Sequence, residues 1–205
     1  MPGRSFGRGG RVNADQRFRT ALASLAAALE EIPAQSMIIG GMAVIAAGVP
    51  RQTIDIDATI LGRDSDLESV VAAFARHGIG PRIDDAVQFA RERQVLLLEH
   101  QASGVTMEIS FAWLPFEEEA LAHALSVEVE GIPLRIARPE DLVVYKAAAW
   151  RDRDRSDIER LLALHFENID LVRVRALVDQ IGSALDDPGR ITAFDAIVER
   201  IRNAR

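Results

Sequence analysis

Asp55 and Asp57 stand two residues apart in Thr53 to Leu61 (TIDIDATIL), a run that alternates apolar and polar residues and is rich in β-branched side chains. Such a run predicts a strand, and alternation puts both carboxylates on one face. Two carboxylates side by side repel and raise each other's pKa unless a cation sits between them. The economical partner is Mg²⁺ (or Mn²⁺), which takes hard oxygen ligands and phosphate oxygens. The plainer alternative is an exposed strand face with two solvated aspartates. Upstream, Gly40-Gly41 follows a short apolar strand, Ser36 to Ile39, and precedes a helix over Met42 to Ala47 that Gly48 and Pro50 stop. Backbone N–H groups at such a turn, with no Cβ in the way, suit an anion.

A third acid, Glu108, lies in Val105 to Ala112 (VTMEISFA), a strand that is otherwise largely apolar. An unpaired buried charge is expensive, so Glu108 is expected to share a cation with Asp55 and Asp57. The alternative is an edge strand with Glu108 in solvent. Farther on, Pro139, Glu140 and Asp141 make a good helix start. If that helix continues, Lys146, Trp150, Asp154 and Asp157 share a face, with Arg153 close to it. The alternative is a solvated helix laced by pairs such as Arg153 with Asp157. Lys146 is the only lysine among 24 basic residues. A compact ammonium kept in an arginine background suggests a site that a guanidinium cannot serve.

Together these blocks resemble the DNA polymerase beta-like nucleotidyltransferase superfamily, whose hallmark is a strand, a Gly-Gly or Gly-Ser turn with its helix, and then a strand carrying D-x-D. Gly40, Gly41, Ala43, Arg51, Thr53, Asp55 and Asp57 stand where the abortive-infection AbiEii-type branch has G-G-x-A and then R-x-T-x-D-I-D. Lys146, Arg151, Asp154 and Asp157 match that branch's later helix. The resemblance covers roughly residues 36–165. It implies a metal-dependent nucleotidyltransferase that moves an NMP from an NTP to an acceptor hydroxyl. Asp55, Asp57 and Glu108 would hold Mg²⁺ or Mn²⁺, although many members carry Asp where Glu108 stands. Gly40, Gly41, Arg51, Thr53 and Lys146 would meet the nucleotide. Lys146 and Asp157 would join the three acids in catalysis, with Asp154, Arg151 and Arg153 in support. The acceptor could be RNA (tRNA among them), a protein hydroxyl or a small molecule. The biological role implied is the toxin of a toxin–antitoxin or phage-defence pair, with an antitoxin as partner. A reading from another class keeps the fold as a non-catalytic nucleotide-binding or protein-interaction module, which would bind nucleotide without forming product. A third makes the chain a partner-neutralised subunit whose helical tail docks an antitoxin.

The elements that must position these residues give an α/β (α+β) order. A small mixed sheet flanked by helices fills the first two-thirds, and a helical region follows. A flexible arm is expected over residues 1–13, a nucleotidyltransferase-like α/β domain over 14–138, and a helical region packed on it over 139–205. Amphipathic helices are expected at Asp15 to Glu31 and Asp64 to His77, a strand pair at Gln94 to Glu99 and Val105 to Ala112, and short strands around Gly131. Breaks in the helical region are expected near Phe166 to Asp170 and Asp186 to Gly189. The 205 residues are 48% hydrophobic and 27% charged, ordinary for a globular chain. The net charge of -7 excludes a uniformly basic, nucleic-acid-coating surface but leaves room for a local basic patch. With no cysteine there is no disulfide, thiolate metal site or Cys nucleophile. The longest apolar run, Met37 to Val49, is too short for a membrane span. No membrane partner and a cytoplasmic location are therefore expected. The four histidines have no metal-ligand spacing, and no Walker-type or G-x-S-x-G motif occurs.

Overall fold

The computed structural model describes residues 8–62 and 66–205. Strands β1 (Ser36–Ile39), β2 (Asp55–Leu61), β3 (Ile79–Pro81), β4 (Val95–His100), β5 (Val105–Ala112), β6 (Leu125–Val129) and β7 (Ile132–Ile136) form one mixed sheet in the order β3-β4-β5-β2-β1-β7-β6. The helices among the described residues are α1 (Arg8–Glu31), α2 (Gly40–Ala46), α3 (Leu67–Arg76), α4 (Ala86–Arg93), α5 (Pro115–Ala122), α6 (Pro139–Ala149), α7 (Asp152–His165), α8 (Leu171–Ala184) and α9 (Gly189–Asn203). This is the α/β class that the element order implies.

The middle of the sheet sets up the chemistry. β2 runs antiparallel to β1 and parallel to β5, so both of its neighbours are paired along its length. On one face Ile56, Ala58 and Ile60 of β2 and Met107 and Ile109 of β5 are fully buried. Burying each of these larger side chains contributes roughly 1.5–3 kcal/mol. Alternation then leaves Asp55, Asp57 and Thr59 of β2, with Thr106, Glu108 and Ser110 of β5, on the opposite face. The hydrophobic demand of one face thus fixes where the carboxylates of the other must point.

Several elements differ from expectation. α1 starts at Arg8, so residues 8–13 of the expected arm are helical, and residues 1–7 lie outside the described residues. α2 starts at Gly40 itself, not at Met42. The start expected for the next helix, Asp64, also lies outside the described residues. α3 begins at Leu67, where the Asp66 side chain accepts from the Ser69 N–H. β3 and α4 occupy a stretch that periodicity left unassigned, and each is short enough to carry little pattern.

The largest difference concerns the helix expected from Pro139 through Asp157. It breaks at Trp150, which takes a left-handed conformation (φ 55°) between α6 and α7. Two local contacts explain the break. Asp154 accepts from the backbone N–H of Arg151, satisfying one of the free donors at the start of α7. Trp150 N–H donates back to the Lys146 carbonyl, closing α6. The later breaks fall where expected, at a 3₁₀ turn over Phe166–Asn168 and between Ala184 and Gly189. α6 packs on α2, α7 and α8, and α8 packs on α9. No helix among the described residues is long and apolar enough to cross a membrane.

Candidate active site

A cleft of about 240 Å³ opens on the polar face of the sheet. Its walls carry Gly40, Gly41 and Arg51 on one side, Asp55, Asp57 and Glu108 below, and Lys146, Arg151, Arg153 and Asp154 from α6 and α7 opposite. Residues more than a hundred positions apart in the chain therefore meet in one depression.

The three acids form a row dictated by strand register. Asp57 faces Glu108 across the parallel β2–β5 pair, and Asp55 faces Thr106 one step away. Asp55 and Asp57 are both partly buried. The Asp57 carboxyl is pushed up to about 6, first by burial and then by the charges of Asp55 and Glu108. The Lys146 charge and the Gly41 N–H offset part of that rise. Glu108 is exposed rather than buried, so the argument that burial obliges it to find a partner does not hold. Nor is its strand an edge: β5 lies between β4 and β2, and Glu108 is exposed because it faces the open cleft.

The Gly-Gly turn is required by close approach. A Cβ on Gly40 would stand 1.8 Å from Oδ2 of Asp57, and Gly40 has φ +62°. A Cβ on Gly41 would stand 2.5 Å from Oγ1 of Thr53 and 3.2 Å from Cζ of Arg51. The turn is thus the surface on which Asp57, Thr53 and Arg51 pack. Thr53 donates its hydroxyl to Oδ1 of Asp55 at 2.9 Å, which orients that carboxylate. Thr53 was expected at the nucleotide; here its hydroxyl serves Asp55.

On the opposite wall Lys146 is engaged twice, with Nζ 3.1 Å from Asp154 and 3.0 Å from Asp157, and its side chain is 8% exposed. Asp157 also receives Arg51 at 2.5 Å, and Asp154 receives Arg151 Nε at 2.6 Å. The chain of contacts runs Arg51, Asp157, Lys146, Asp154, Arg151, joining the loop before β2 to both helices. Burial raises Asp154, but the hydrogen bonds from Arg151 and Lys146 outweigh it and hold its carboxyl below the usual range. The same bond to Asp154 raises the pKa of Arg151. Lys146, Asp154 and Asp157 meet despite the break at Trp150, because the corner folds α7 back towards α6. Arg153 does not pair with Asp157, which is occupied by Arg51 and Lys146; it is exposed on the cleft wall.

Tyr145 and Ser110 also line the cleft, and sequence reasoning missed both. Tyr145 is the only tyrosine and directly precedes the only lysine, a signal available in the sequence. Burial, and then the charges of Glu117 and Asp141, push its phenol upward, so it stays neutral.

Asp55, Asp57 and Glu108 offer only oxygen donors, which suits Mg²⁺ or Mn²⁺. Their mutual repulsion, visible at Asp57, is of the kind a divalent ion relieves. Among the described residues no three acidic or imidazole side chains already converge as a ligand set. Mg²⁺ is commonly held by one or two carboxylates, which Asp55 and Asp57 can provide, together with substrate phosphates and water.

A family described as nucleotidyltransferase of unknown function, DUF6036, matches residues 18–198. The chain belongs to the DUF6036 nucleotidyltransferase family. That assignment places it in the nucleotidyltransferase superfamily and makes it a nucleotidyltransferase by family. The AbiEii branch suggested by the motifs is not the family matched. Solved structures share the fold. JHP933 from Helicobacter pylori is 16% identical with a TM-score of 0.52, covering 98% of this chain and 94% of that one. ANT(2")-Ia, solved with adenylyl-2"-tobramycin, is 19% identical with a TM-score of 0.54, covering 82% of this chain and 99% of that one. No curated protein matches the chain.

Proposed function

We propose that this DUF6036 member transfers an NMP from an NTP to an acceptor hydroxyl, using the cleft between the β2–β5 face and the α6–α7 corner. The observation that carries this reading is the register of Asp57 with Glu108 beneath the Gly40-Gly41 turn, with Asp57 packed directly on Gly40. Held by Asp55, Asp57 and Glu108, Mg²⁺ or Mn²⁺ would supply charge neutralisation at the α-phosphate and a more acidic attacking hydroxyl. The chain's own groups do the rest. Thr53 fixes Asp55, and Gly40 leaves room for Asp57. The Gly40-Gly41 turn seats Asp57, Thr53 and Arg51, and Arg51, Arg151 and Arg153 surround the phosphates with positive charge. Lys146 acts on the phosphates through its field and holds α6 to α7 through Asp154 and Asp157. The acceptor oxygen bonds to the α-phosphorus, the bond to the bridging oxygen breaks, pyrophosphate leaves, and the hydroxyl proton passes to solvent by way of the cleft carboxylates.

The AbiEii-like motif block supports a finer reading: the toxin of a toxin–antitoxin or phage-defence pair, cytoplasmic, acting on tRNA or on a protein hydroxyl. The tRNA version requires local basic groups, and the α6–α7 corner carries Arg151, Arg153 and Arg155, the first and last of them paired with Asp154 and Asp152. ANT(2")-Ia with its adenylylated tobramycin keeps a small-molecule acceptor in view. Glu108, standing where many members of the resembled superfamily carry Asp, favours one second reading, a module that binds nucleotide without turnover.

Calorimetry of a non-hydrolysable NTP with Mg²⁺ tests the site. Metal-dependent binding to the wild-type protein, lost in an Asp55→Ala/Asp57→Ala variant, is expected. Binding of equal strength in both would remove Asp55 and Asp57 from the site.

A further inference from the structure

The motif blocks end near residue 165, yet the last helices reach the wall of the cleft. Arg190, in the first turn of α9, is buried. Its Nη1 donates to the carbonyls of Ala147 at 3.0 Å and Ala148 at 2.8 Å, the last turn of α6. Its Nε donates to Asp187 at 3.2 Å, and its guanidinium lies 5.9 Å from the centre of the Trp150 ring. The final carbonyls of a helix have no partner within it and carry its negative end. A guanidinium that donates to two of them and stacks on the next residue satisfies both needs. Gly182 permits the close turn that delivers it: a Cβ there would stand 3.0 Å from the Asp187 carbonyl oxygen.

What Arg190 grips is the corner that carries the site. Ala147 and Ala148 follow Lys146, Trp150 is the left-handed hinge, and Ala149, Arg151, Arg153 and Asp154 line the cleft. Arg190 itself is not among the cleft residues. We propose that Arg190 is a positioning residue for the nucleotide: it sets the α6–α7 corner, and so the placement of Arg151 and Arg153, from behind the cleft wall. The α8–α9 hairpin is then part of the nucleotide site. This inference rests on the proposed NTP-binding reading.

The test compares Arg190→Gln and Arg190→Lys with Arg175→Gln. The last breaks an exposed pair between α8 and α9 (Arg175 to Asp195, 2.9 Å) and so controls for weakening of the hairpin alone. In Arg190→Gln the NTP Kd and KM are expected to rise roughly tenfold to a hundredfold, the cost of misplaced binding groups, with kcat much less affected. Arg190→Lys, which keeps the charge but not the fork or the stacking, should fall between. Arg175→Gln should leave both constants near wild type. In a Trp113→Phe background, where Trp150 is the one remaining tryptophan, Arg190→Gln should shift Trp150 emission in the folded protein. Should Arg190→Gln fail to fold, Arg190→Lys and Asp187→Asn carry the same comparison. Wild-type protein that binds no NTP overturns the functional reading and this inference with it. Wild-type protein that binds, with Arg190 variants no worse than Arg175→Gln, overturns this inference alone.

Discussion

Oδ2 of Asp57 lies 1.8 Å from where a Cβ on Gly40 would stand, so the turn and the acid occupy one shared space. Gly40→Ala would add a clash to a backbone conformation already unfavourable for alanine (φ +62°). It is expected to destabilise the fold by about 1–3 kcal/mol and to abolish transfer. Part of the stability should return in Gly40→Ala/Asp57→Ala, which removes the contacts at 1.8 and 2.6 Å but keeps the one at 2.7 Å to the Asp57 Cβ, and no activity should. Denaturant titration of the four proteins in that cycle measures the coupling. Strict additivity would contradict the packing.

Asp57 sets a pH dependence. Its carboxyl rises from 3.8 to about 6 on folding. A raised acid binds its proton more tightly in the folded state, so its contribution is fully present below pH 3.8 and is lost as pH rises through 6. At pH 8 the ionised carboxylate therefore costs the metal-free protein up to roughly 3 kcal/mol. Asp57→Asn should raise the Tm of metal-free protein at pH 8, and the gap to wild type should shrink towards pH 4. Added Mg²⁺ should stabilise the wild type and not the variant. Equal melting of the two proteins at pH 8 would mean that the cluster carries no such strain.

Lys146 bridges two acids that are almost fully buried. Lys146→Met leaves Asp154 and Asp157 with only Arg151 and Arg51. Breaking a buried pair in this way costs about 3–5 kcal/mol, measurable by urea unfolding. Asp154→Asn in the same background should recover part of the loss. A Lys146→Met protein as stable as wild type would show the lysine to be free for the phosphates rather than committed to the corner.

Thr53→Val tests second-hand orientation of an acid. It removes the 2.9 Å hydrogen bond to Asp55 without changing charge. Groups that orient a metal ligand are typically worth roughly tenfold to a hundredfold in metal affinity, so Mg²⁺ affinity should fall by that factor, and the Tm should fall with the loss of a hydrogen bond to a charged group. Unchanged Mg²⁺ binding would leave Asp55 oriented by other contacts.

Much of the site was legible because it depends on short-range pattern. Alternation in TIDIDATIL fixes the face shared by Asp55 and Asp57, and Gly40-Gly41 marks a place where the chain must be approached closely. What escaped depends on contacts between distant segments. Nothing local indicates that Arg51 reaches Asp157, or that Arg190 reaches Ala147 and Ala148 across more than forty residues. The break at Trp150 escaped for a related reason. No glycine or proline marks it, and the acids that start α7, Asp152 and Asp154, also read as pairs along a single continuous helix. Glu108 was misjudged because its apolar neighbours belong to the other face of the strand, which says nothing about burial of its own.

The central claim is NMP transfer by the Asp55–Asp57–Glu108 face, and label transfer tests it most directly. Purified protein is incubated with each α-labelled NTP, Mg²⁺ or Mn²⁺ and total tRNA, beside an Asp55→Ala/Asp57→Ala variant of equal folding. Label that moves from one NTP to RNA or to protein, in the wild type only, is the expected result, and its destination names the acceptor class. Label transfer of equal extent by the double variant, or NTP binding by the wild type with no label moved to any acceptor offered, would contradict it.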